Sequence, residues 1–352
     1  MWFPNAEVVI NPALLVFLGV IVGILGGFFG VGGGFLITGG LLVFGVPPLY
    51  AVGTGITLIM GASLVNTMKH RQLVHIDFKL GALMALGSLP ALYVATRLNT
   101  ALEAANLAGP VIRYTYVVLL ALLGVFILFD YLRSRKAIAN DPDAMSTARL
   151  AIWIQRLSLP PSWVPVPGIG KVPTRVAFPV AGIESVSIFL PVIIGVGIGF
   201  LAGLLGAGGA FILTPVLIYI LGVPTITAIG TSLFQVMLTG AVGTFIYATS
   251  DRVDPLMAVI MLAAASIGAQ LGATGTKVIE PARIRFLFGI MVLAGCLAVG
   301  LEEASEAAEI DELSTVASVV LLGVGGLICL VIAALVIKTG RNSSVSAQSE
   351  GL

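Results

Sequence analysis

The sequence predicts an all-α polytopic membrane protein made of two related halves. Hydrophobic residues make up 58% of the chain and charged residues 10%, whereas soluble globular domains have about 45–50% and about 25%. Seven apolar segments have the roughly 20 residues that a helix needs to cross a bilayer. Two longer apolar runs, residues 12–45 and 188–222, are each interrupted near the middle by a glycine cluster.

The seven simple spans have no Asp, Glu or Lys at the centre. Each of the two glycine-broken runs is too long for one crossing and contains residues that avoid a regular helix. The prediction is therefore about eight to nine transmembrane helices plus glycine-broken re-entrant or hairpin segments. The simple spans are residues 49–68, 79–98, 113–132, 226–249, 256–275, 284–301 and 314–337.

The charge and the few metal-binding side chains exclude several function classes. The net charge is +1 and there is no tract rich in Lys or Arg, so no nucleic-acid partner is predicted. The chain has two histidines and two cysteines, and none of them has the spacing of metal ligands. The sequence therefore predicts no metal site and no cofactor. The predicted environment of the protein is the lipid bilayer.

Residues 133–187 form the only sizeable polar segment and divide the chain. We expect residues 1–132 to be the first transmembrane repeat and residues 188–301 the second. The segment between them is predicted to be a cytoplasmic linker with a short amphipathic helix at 145–157 and a β-hairpin at 174–187. Residues 302–352 are predicted to be an acidic loop, a final transmembrane helix and a disordered tail.

The two halves are an internal repeat, because the same order of small and hydroxyl residues occurs twice. The match extends to His75-Ile-Asp77 against Arg252-Val-Asp254. The chain is therefore a duplication. The first copy reads Gly27-Phe-Phe-Gly-Val-Gly-Gly-Gly-Phe-Leu-Ile-Thr38, then Gly45-Val-Pro47 and Ala51-Val-Gly-Thr54; the second reads Gly203-Leu-Leu-Gly-Ala-Gly-Gly-Ala-Phe-Ile-Leu-Thr214, then Gly222-Val-Pro224 and Ala228-Ile-Gly-Thr231.

Positively charged residues in short loops mark the cytoplasmic face of a membrane protein. The loop after span 49–68 has Lys69, Arg71 and Lys79, so we expect this loop in the cytoplasm. If each glycine-broken run returns the chain to the face where it started, the later basic residues are also cytoplasmic and the acidic cluster after residue 301 lies outside. If each run crossed the membrane once, the acidic cluster would lie in the cytoplasm and the last basic residues would lie outside. The charges thus favour hairpins and an inverted relation between the halves, which is a recurrent plan of transporters.

The duplicated pattern resembles the TauE/SafE sulfite exporter family, also called toluene sulfonate uptake permeases. The resemblance rests on Gly-x-x-Gly-x-Gly-Gly, Gly-Val-Pro and Ala-x-Gly-Thr in both halves, and it covers about residues 15–300. His70-Arg71, followed by His75-Ile-Asp77, is similar to the family's basic loop. Two features depart from the pattern: the proline expected in the first repeat is Gly39, whereas the second keeps Pro215, and the 133–187 linker is longer than in compact members.

The resemblance implies a secondary transporter of small sulfur-containing anions such as sulfite and organosulfonates, usually acting in export. It also implies a multi-pass protein of the bacterial inner membrane. Two other function classes stay open: a carrier or channel of the same fold for an unrelated small solute or ion, and a membrane scaffold or enzyme subunit. No nucleophile–base pair is evident in the sequence, so no enzymatic activity is predicted. The sequence does not set the oligomeric state.

The glycine breaks are the predicted binding site for a small anionic solute. A broken helix at membrane depth is tolerated where it faces a polar cavity or packs against protein, and the N–H groups at a half-helix start carry partial positive charge that suits an oxyanion. Two alternatives stay open: the glycines let helices pack closely, and the hydroxyls and amides make interhelical hydrogen bonds. The candidate residues are Gly30, Gly32, Gly33, Gly34, Thr54, Asn66, Gly206, Gly208, Gly209, Thr231, Ser232 and Gln235.

Lys69, His70 and Arg71 lie at a predicted membrane boundary, and two interpretations fit them. They set the topology as positive-inside charges, or they form a cytoplasmic vestibule that gathers anions, with His70 able to titrate near neutral pH. Asp77 and Asp254 begin spans, where carboxylates cap helix starts. The predicted spans have no buried carboxylate at the centre, so a proton is a candidate coupling ion that accompanies the substrate itself.

Overall fold

The computed structural model describes residues 1–31, 33–72, 76–138, 163–166, 170–206, 208–276, 278–308 and 311–349. Within these ranges the chain forms eleven helices and three small antiparallel strand pairs. Eight of these helices are long and apolar enough to cross a membrane. The predicted fold class, an all-α polytopic membrane protein, is therefore confirmed.

The helices follow the predicted order. In the first half they are α1 (Pro12–Phe29), α2 (Gly34–Val43), α3 (Pro48–Gln72), α4 (Phe78–Ala104) and α5 (Ala108–Ile138). In the second half they are α6 (Phe189–Leu205), α7 (Ala210–Tyr219), α8 (Thr225–Ala248), α9 (Pro255–Gly275), α10 (Pro281–Ala308) and α11 (Asp311–Ser349). The strand pairs are β1 (Trp2–Phe3) with β2 (Val8–Val9), β3 (Trp163–Val166) with β4 (Gly170–Pro173), and β5 (Arg175–Phe178) with β6 (Ile183–Ser187).

Each glycine-broken run is a helical hairpin. A Cβ atom at Gly33 would collide with Val22, and one at Gly40 would lie 2.7 Å from the Leu18 side chain. Helix α2 therefore runs back along α1 towards the start of α1. In the second half, Gly209 lies in the same way against Ile198 of α6. The returning helices α2 and α7 have only ten residues each, which is too short to cross a bilayer.

Glycines four residues apart allow the repeats to interlock. They line one face of α1 and one face of α6, and a Cβ atom on any of them would meet backbone of the neighbouring helix. That neighbour belongs to the opposite repeat in both cases. On α1, Gly19, Gly23 and Gly27 lie against the carbonyl oxygens of Met261, Ala265 and Ala269 of α9; on α6, Gly195, Gly199 and Gly203 lie against those of Met84, Ser88 and Leu92 of α4.

Two contacts identify the face where the chain begins, here called the N-terminal face. Asn5 Nδ2 donates a hydrogen bond to the Val253 carbonyl, 3.1 Å away. The adjacent Arg252 forms an ion pair with Glu103 at 2.6 Å between Nη2 and Oε2. The N-terminal segment and the ends of α4 and α8 thus lie together, and α1 enters the molecule from this face.

The opposite face, here called the linker face, holds the start of the second repeat. The Ala181 N–H, in the turn between β5 and β6, donates to Asp77 Oδ2 at 3.3 Å. Tyr219, at the end of α7, lies close to Asp130 of α5 and Arg285 of α10. Because α6 follows β6 directly, the second hairpin enters from the linker face. The two repeats are therefore inverted, as the charges predict.

Three boundaries differ from the sequence prediction. The β5–β6 pair precedes α6 as β1–β2 precedes α1, with Phe3 and Phe178 both buried, so it belongs structurally to the second repeat and not to the linker. Helix α10 extends through Glu302 and Glu303 because Ala and Glu favour helix over loop. The sequence predicts a disordered tail after the final span, but α11 continues to Ser349 because no proline ends it. The amphipathic stretch 145–157 lies outside the described residues.

Candidate functional site

Each broken helix is held by a hydroxyl group from the other hairpin. Gly30 caps the end of α1 with φ 71° and Gly206 caps the end of α6 with φ 65°. This left-handed conformation favours glycine and leaves the last carbonyl groups without partners inside the helix. Thr214 of α7 donates to the Gly30 carbonyl at 3.3 Å, and Thr38 of α2 donates to the Gly206 carbonyl at 3.2 Å. The hairpin tips therefore cross, and these bonds join each break to the returning helix of the other hairpin.

The two crossings are not identical. Ser232 donates to the Gly30 carbonyl at 2.7 Å and lies 2.9 Å from the Thr214 hydroxyl. The equivalent residue in the first repeat is Gly55, where a Cβ atom would come within 2.5 Å of Thr38 Oγ1. Among the described residues, two hydroxyl groups thus bond to the Gly30 carbonyl, whereas one hydroxyl group, that of Thr38, bonds to the Gly206 carbonyl. Ser232, a predicted ligand residue, has a structural partner here.

Thr54 and Thr231 brace loops of the opposite repeat. Thr231 Oγ1 accepts a hydrogen bond from the Asp77 N–H at 3.0 Å, and Thr54 Oγ1 accepts one from the Asp254 N–H at 2.9 Å. Each aspartate in turn caps its own helix, since Asp77 Oδ1 accepts from Leu80 N and Asp254 Oδ1 accepts from the corresponding N–H of α9, both at 3.0 Å. These threonines position the starts of α4 and α9.

His70 does not lie with Lys69 and Arg71. Its ring is fully buried, and Nε2 is 3.2 Å from the Gly27 carbonyl oxygen, so Nε2 carries the hydrogen. Lys69 is half-buried and Arg71 is exposed. The structure therefore places His70 apart from the two residues with which the vestibule interpretation grouped it: His70 contacts the end of the first broken helix.

Tyr247 holds the second broken helix in the same way. It occupies the position equivalent to His70 and donates to the Gly203 carbonyl at 2.7 Å. Asn99 Nδ2 adds hydrogen bonds of 3.1 Å to the carbonyls of Gly203 and Leu204, and one of 2.8 Å to the Tyr247 hydroxyl. The sequence prediction missed both residues, because their role depends on contacts between distant helices.

A buried polar stripe follows one face of α3 beside the first break. Asn66 is fully buried, neither amide atom has a described hydrogen-bond partner, and Oδ1 would lie 2.6 Å from a Cβ atom at Gly27. The hydroxyls of Ser63 and Thr67 are also buried without a described partner. With His70, these residues have the i, i+3, i+4, i+7 spacing of one helix face, and that spacing is the sequence signal by which Ser63 and Thr67 could have been found.

Gln235 joins α8 to α4. Its Nε2 donates to Ser88 Oγ at 2.9 Å, whereas its Oε1 is buried without a described partner. Gly32 lies outside the described residues. Gly33 and Gly209 are the N-cap residues of α2 and α7 and provide no side-chain acceptor to the N–H groups of these helix starts. Gly208 packs against Ile59.

Two neighbouring cavities near the N-terminal face share part of their lining. One has a volume of about 410 Å³ and the other about 370 Å³, and both are lined by Leu49, Glu103 and Arg252. The larger cavity reaches Asn99 and Tyr247 at the end of α6, and the smaller one reaches Arg113 of α5. Among the described residues, no group of three or more His, Cys, Asp or Glu side chains could hold a metal ion.

The model of the family described as Sulfite exporter TauE/SafE matches residues 15–299. The chain belongs to the TauE/SafE family. Its match covers both hairpins and α3–α5 and α8–α9, with most of α10, and stops before α11. A TauE/SafE chain with eight spanning-capable helices is a multi-pass membrane transporter.

Relatives of this TauE/SafE chain carry transporter names. It is 23% identical over 293 residues to the probable membrane transporter protein YunE of Bacillus subtilis, covering 80% of this chain and 95% of that protein. It is 23% identical over 284 residues to YjnA of the same organism, covering 80% and 97%. A probable membrane transporter protein of Xylella fastidiosa is 38% identical over 103 residues, 28% of this chain and 39% of that protein. No solved structure matches.

Proposed function

We propose that this TauE/SafE member is a secondary transporter that exports small sulfur-containing anions, such as sulfite or organosulfonates, from the cytoplasm across the inner membrane. The family description supports this class of substrate. The solute would pass between the two crossed hairpins, in contact with their glycine breaks and with the polar side chains of α3 and α8.

The distribution of charge supports a cytoplasmic linker face. Lys69 and Arg71 end α3, Lys79 begins α4 and Arg283 begins α10, and these three helix ends lie at the linker face. The positive-inside rule assigns such a face to the cytoplasm. The N-terminal face, with Glu303 and the acidic residues that follow it, would then face outward and be the side of release.

The observation that carries the proposal is the buried Asn66 amide beside the first break. A buried polar group without a hydrogen bond costs about 1–3 kcal/mol, so an amide with neither atom bonded within the described protein is best explained by a solute that bonds to it during transport. Ser63 and Thr67 extend this line of donors and acceptors along α3. Neutral hydroxyl and amide groups can bond sulfite oxygens without trapping them as a buried cation would.

The helix starts of the hairpins add a second attraction for an anion. Helices α2 and α7 begin at glycine caps, and a helix start carries about half a positive charge on its N–H groups. Gly33 and Gly209 lie at these starts, with Gly32, Gly34 and Gly208 next to them. The backbone N–H groups of Gly33, Gly208 and Gly209 would bind the oxyanion, in keeping with the general affinity of helix N-termini for anions.

We further propose that a coupling proton travels on the anion. The described acidic side chains lie at or near helix ends and in loops, as Asp77, Asp130 and Asp254 illustrate, and a proton relay across the membrane would need a carboxylate or histidine chain within the spans. A weak-acid anion such as sulfite can carry its own proton.

Flux of labelled sulfite from proteoliposomes tests the proposal. Asn66→Leu keeps the side-chain volume and removes both hydrogen-bonding groups, so we expect flux to fall by about tenfold or more, the effect of losing roughly 1.4 kcal/mol of interaction. The matched control is Gln270→Leu, which removes an exposed amide on α9 and should leave flux within about twofold. Equal flux in wild type and Asn66→Leu would exclude this site.

A carrier or channel for an unrelated small solute is the second candidate. The stripe of Ser63, Asn66 and Thr67 carries no charge, so it also suits an uncharged polar solute. The same proteoliposomes distinguish the two: absence of sulfite and methanesulfonate flux, with Asn66-dependent flux of a neutral solute such as urea or glycerol, would favour the second candidate.

A further inference from the structure

One ion pair separates the two cavities of the N-terminal face. Arg252 Nη2 and Glu103 Oε2 are 2.6 Å apart, and each side chain is 34% exposed. Both residues line the larger and the smaller cavity. The guanidinium group of Arg252 also lies 5.7 Å from the centre of the Tyr50 ring. Arg252 is therefore fixed at the wall that the cavities share, within reach of a solute in either one.

The cavities are lined by more positive than negative side chains. Arg97 lines the larger cavity, Arg113 lines the smaller one, and Arg252 lines both, whereas Glu103 is the one acidic side chain in either described lining. Arg97 bonds to the Tyr93 hydroxyl at 2.7 and 3.0 Å, a neutral partner. Guanidinium groups bind planar and tetrahedral oxyanions through paired N–H bonds, so the lining favours such an anion.

The larger cavity leads to the second hairpin. Its inner wall includes Asn99 and Tyr247, whose polar atoms bond to the carbonyls of Gly203 and Leu204 at the end of α6. Asn99 Oδ1 is buried without a described partner. A solute in this cavity is thus one layer of side chains away from the broken helix.

We propose that Arg252 anchors an anion-binding vestibule on the N-terminal face, in which a small oxyanion takes the place of the Glu103 carboxylate on the Arg252 guanidinium. Arg97, whose described partner is the neutral Tyr93 hydroxyl, raises the local concentration of the anion through its charge, whereas Arg113 is already paired with Glu303 at 3.4 Å. Glu103 returns to Arg252 when the anion leaves. The choice of sulfite or a sulfonate as this anion, and the description of the vestibule as the release side, rest on the proposed function.

The exchange predicts effects of opposite sign for the two partners. In phosphatidylcholine nanodiscs, calorimetric titration with methanesulfonate should show about tenfold weaker binding for Arg252→Gln, which loses a charge-assisted bond, and about three- to tenfold tighter binding for Glu103→Gln, which loses the competing carboxylate. Arg252→Lys keeps the positive charge but cannot form the paired N–H bonds of a guanidinium group. Its affinity for methanesulfonate should therefore lie between those of wild type and Arg252→Gln. The matched controls are Arg283→Gln and Glu280→Gln, an exposed pair 3.2 Å apart on the linker face, which should leave binding unchanged.

Each other outcome has a definite meaning. If both substitutions weaken binding, or neither changes it, the exchange is wrong and the ion pair is structural. If phosphatidylglycerol in the nanodiscs abolishes methanesulfonate binding, the occupant is a lipid phosphate and the proposal is overturned. If the protein transports sulfite but binds methanesulfonate equally well without Arg252, the vestibule proposal is wrong and the export proposal stands. If binding depends on Arg252 but no sulfite or sulfonate flux is seen, the export proposal is wrong and the vestibule proposal stands.

Discussion

His70 and Tyr247 occupy equivalent positions in the inverted repeats, and each contacts a carbonyl group near the end of the broken helix that enters from the opposite face. His70 Nε2 lies 3.2 Å from Gly27 O, and the Tyr247 hydroxyl donates to Gly203 O at 2.7 Å. One task is thus performed by two different side chains, at equivalent glycines.

Removing either contact should destabilise the protein. His70→Phe and Tyr247→Phe each leave a buried carbonyl with one hydrogen bond fewer, and we expect a loss of about 1–3 kcal/mol in unfolding free energy. Thermal unfolding of the purified variants in detergent measures the effect. Phe245→Leu, at a side chain of α8 that is 70% exposed, is the control. Unchanged stability of both variants would contradict the assigned role of these side chains.

The unequal crossings of the hairpins predict unequal effects of two similar substitutions. Thr214→Val leaves Ser232 bonded to the Gly30 carbonyl, whereas Thr38→Val removes the hydroxyl donor of Gly206. We therefore expect Thr38→Val to cost about 1 kcal/mol more than Thr214→Val. Chemical denaturation of the two variants side by side measures the difference. A larger loss for Thr214→Val would show that Ser232 does not compensate.

Helix packing gives a sharp contrast within α6. A Cβ atom at Gly199 would collide with the Ser88 backbone, whereas one at Gly197 meets nothing within 4 Å. Gly199→Ala should destabilise by about 1–3 kcal/mol or more, as for other overpacked sites. Gly197→Ala should be neutral or stabilise by up to about 1 kcal/mol, because alanine favours helix. Melting temperatures of the two variants provide the measurement, and similar values would argue against the close approach of α4 and α6.

Labelling of single cysteines tests the orientation in the membrane. In a background without Cys296 and Cys329, Glu312→Cys at the start of α11 should react with an impermeant maleimide on intact cells. Lys79→Cys at the start of α4 should react only after the cells are opened. Both side chains are exposed, so access depends on the side of the membrane. The reverse pattern would place the linker face outside.

Sequence reasoning found the spans, the hairpins and the inversion because these leave local traces. Hydropathy shows each span, the glycine clusters mark the breaks, and the charges after Leu301 show which face each helix reaches. The partners of Thr54, Thr231 and Ser232 left no such trace, because each bonds to backbone of the other repeat. Hydroxyl groups that could bind a solute and hydroxyl groups that brace a loop have the same sequence pattern.

The roles of charged residues near helix ends could not be predicted from the sequence either. Arg252 and Glu103 lie far apart in the sequence. Neither can be distinguished there from a charged residue that sets the membrane topology or lies in a solvated loop. Only the fold brings them to 2.6 Å at the junction of two cavities. The same holds for His70, which helix periodicity would have grouped with Asn66 on one face, and not with its neighbours Lys69 and Arg71.

The interlocked glycine faces also constrain how the protein is made. Helix α1 leaves the ribosome well before α9, yet the surface that receives Gly19 and Gly23 belongs to α9 in the second repeat. Contacts between such distant segments form late, because the intervening chain must be synthesised and inserted first. Until α9 is inserted, the glycine face of the first hairpin is therefore in contact with lipid or with the insertion machinery. Neither half of the chain has its native partner until both are complete.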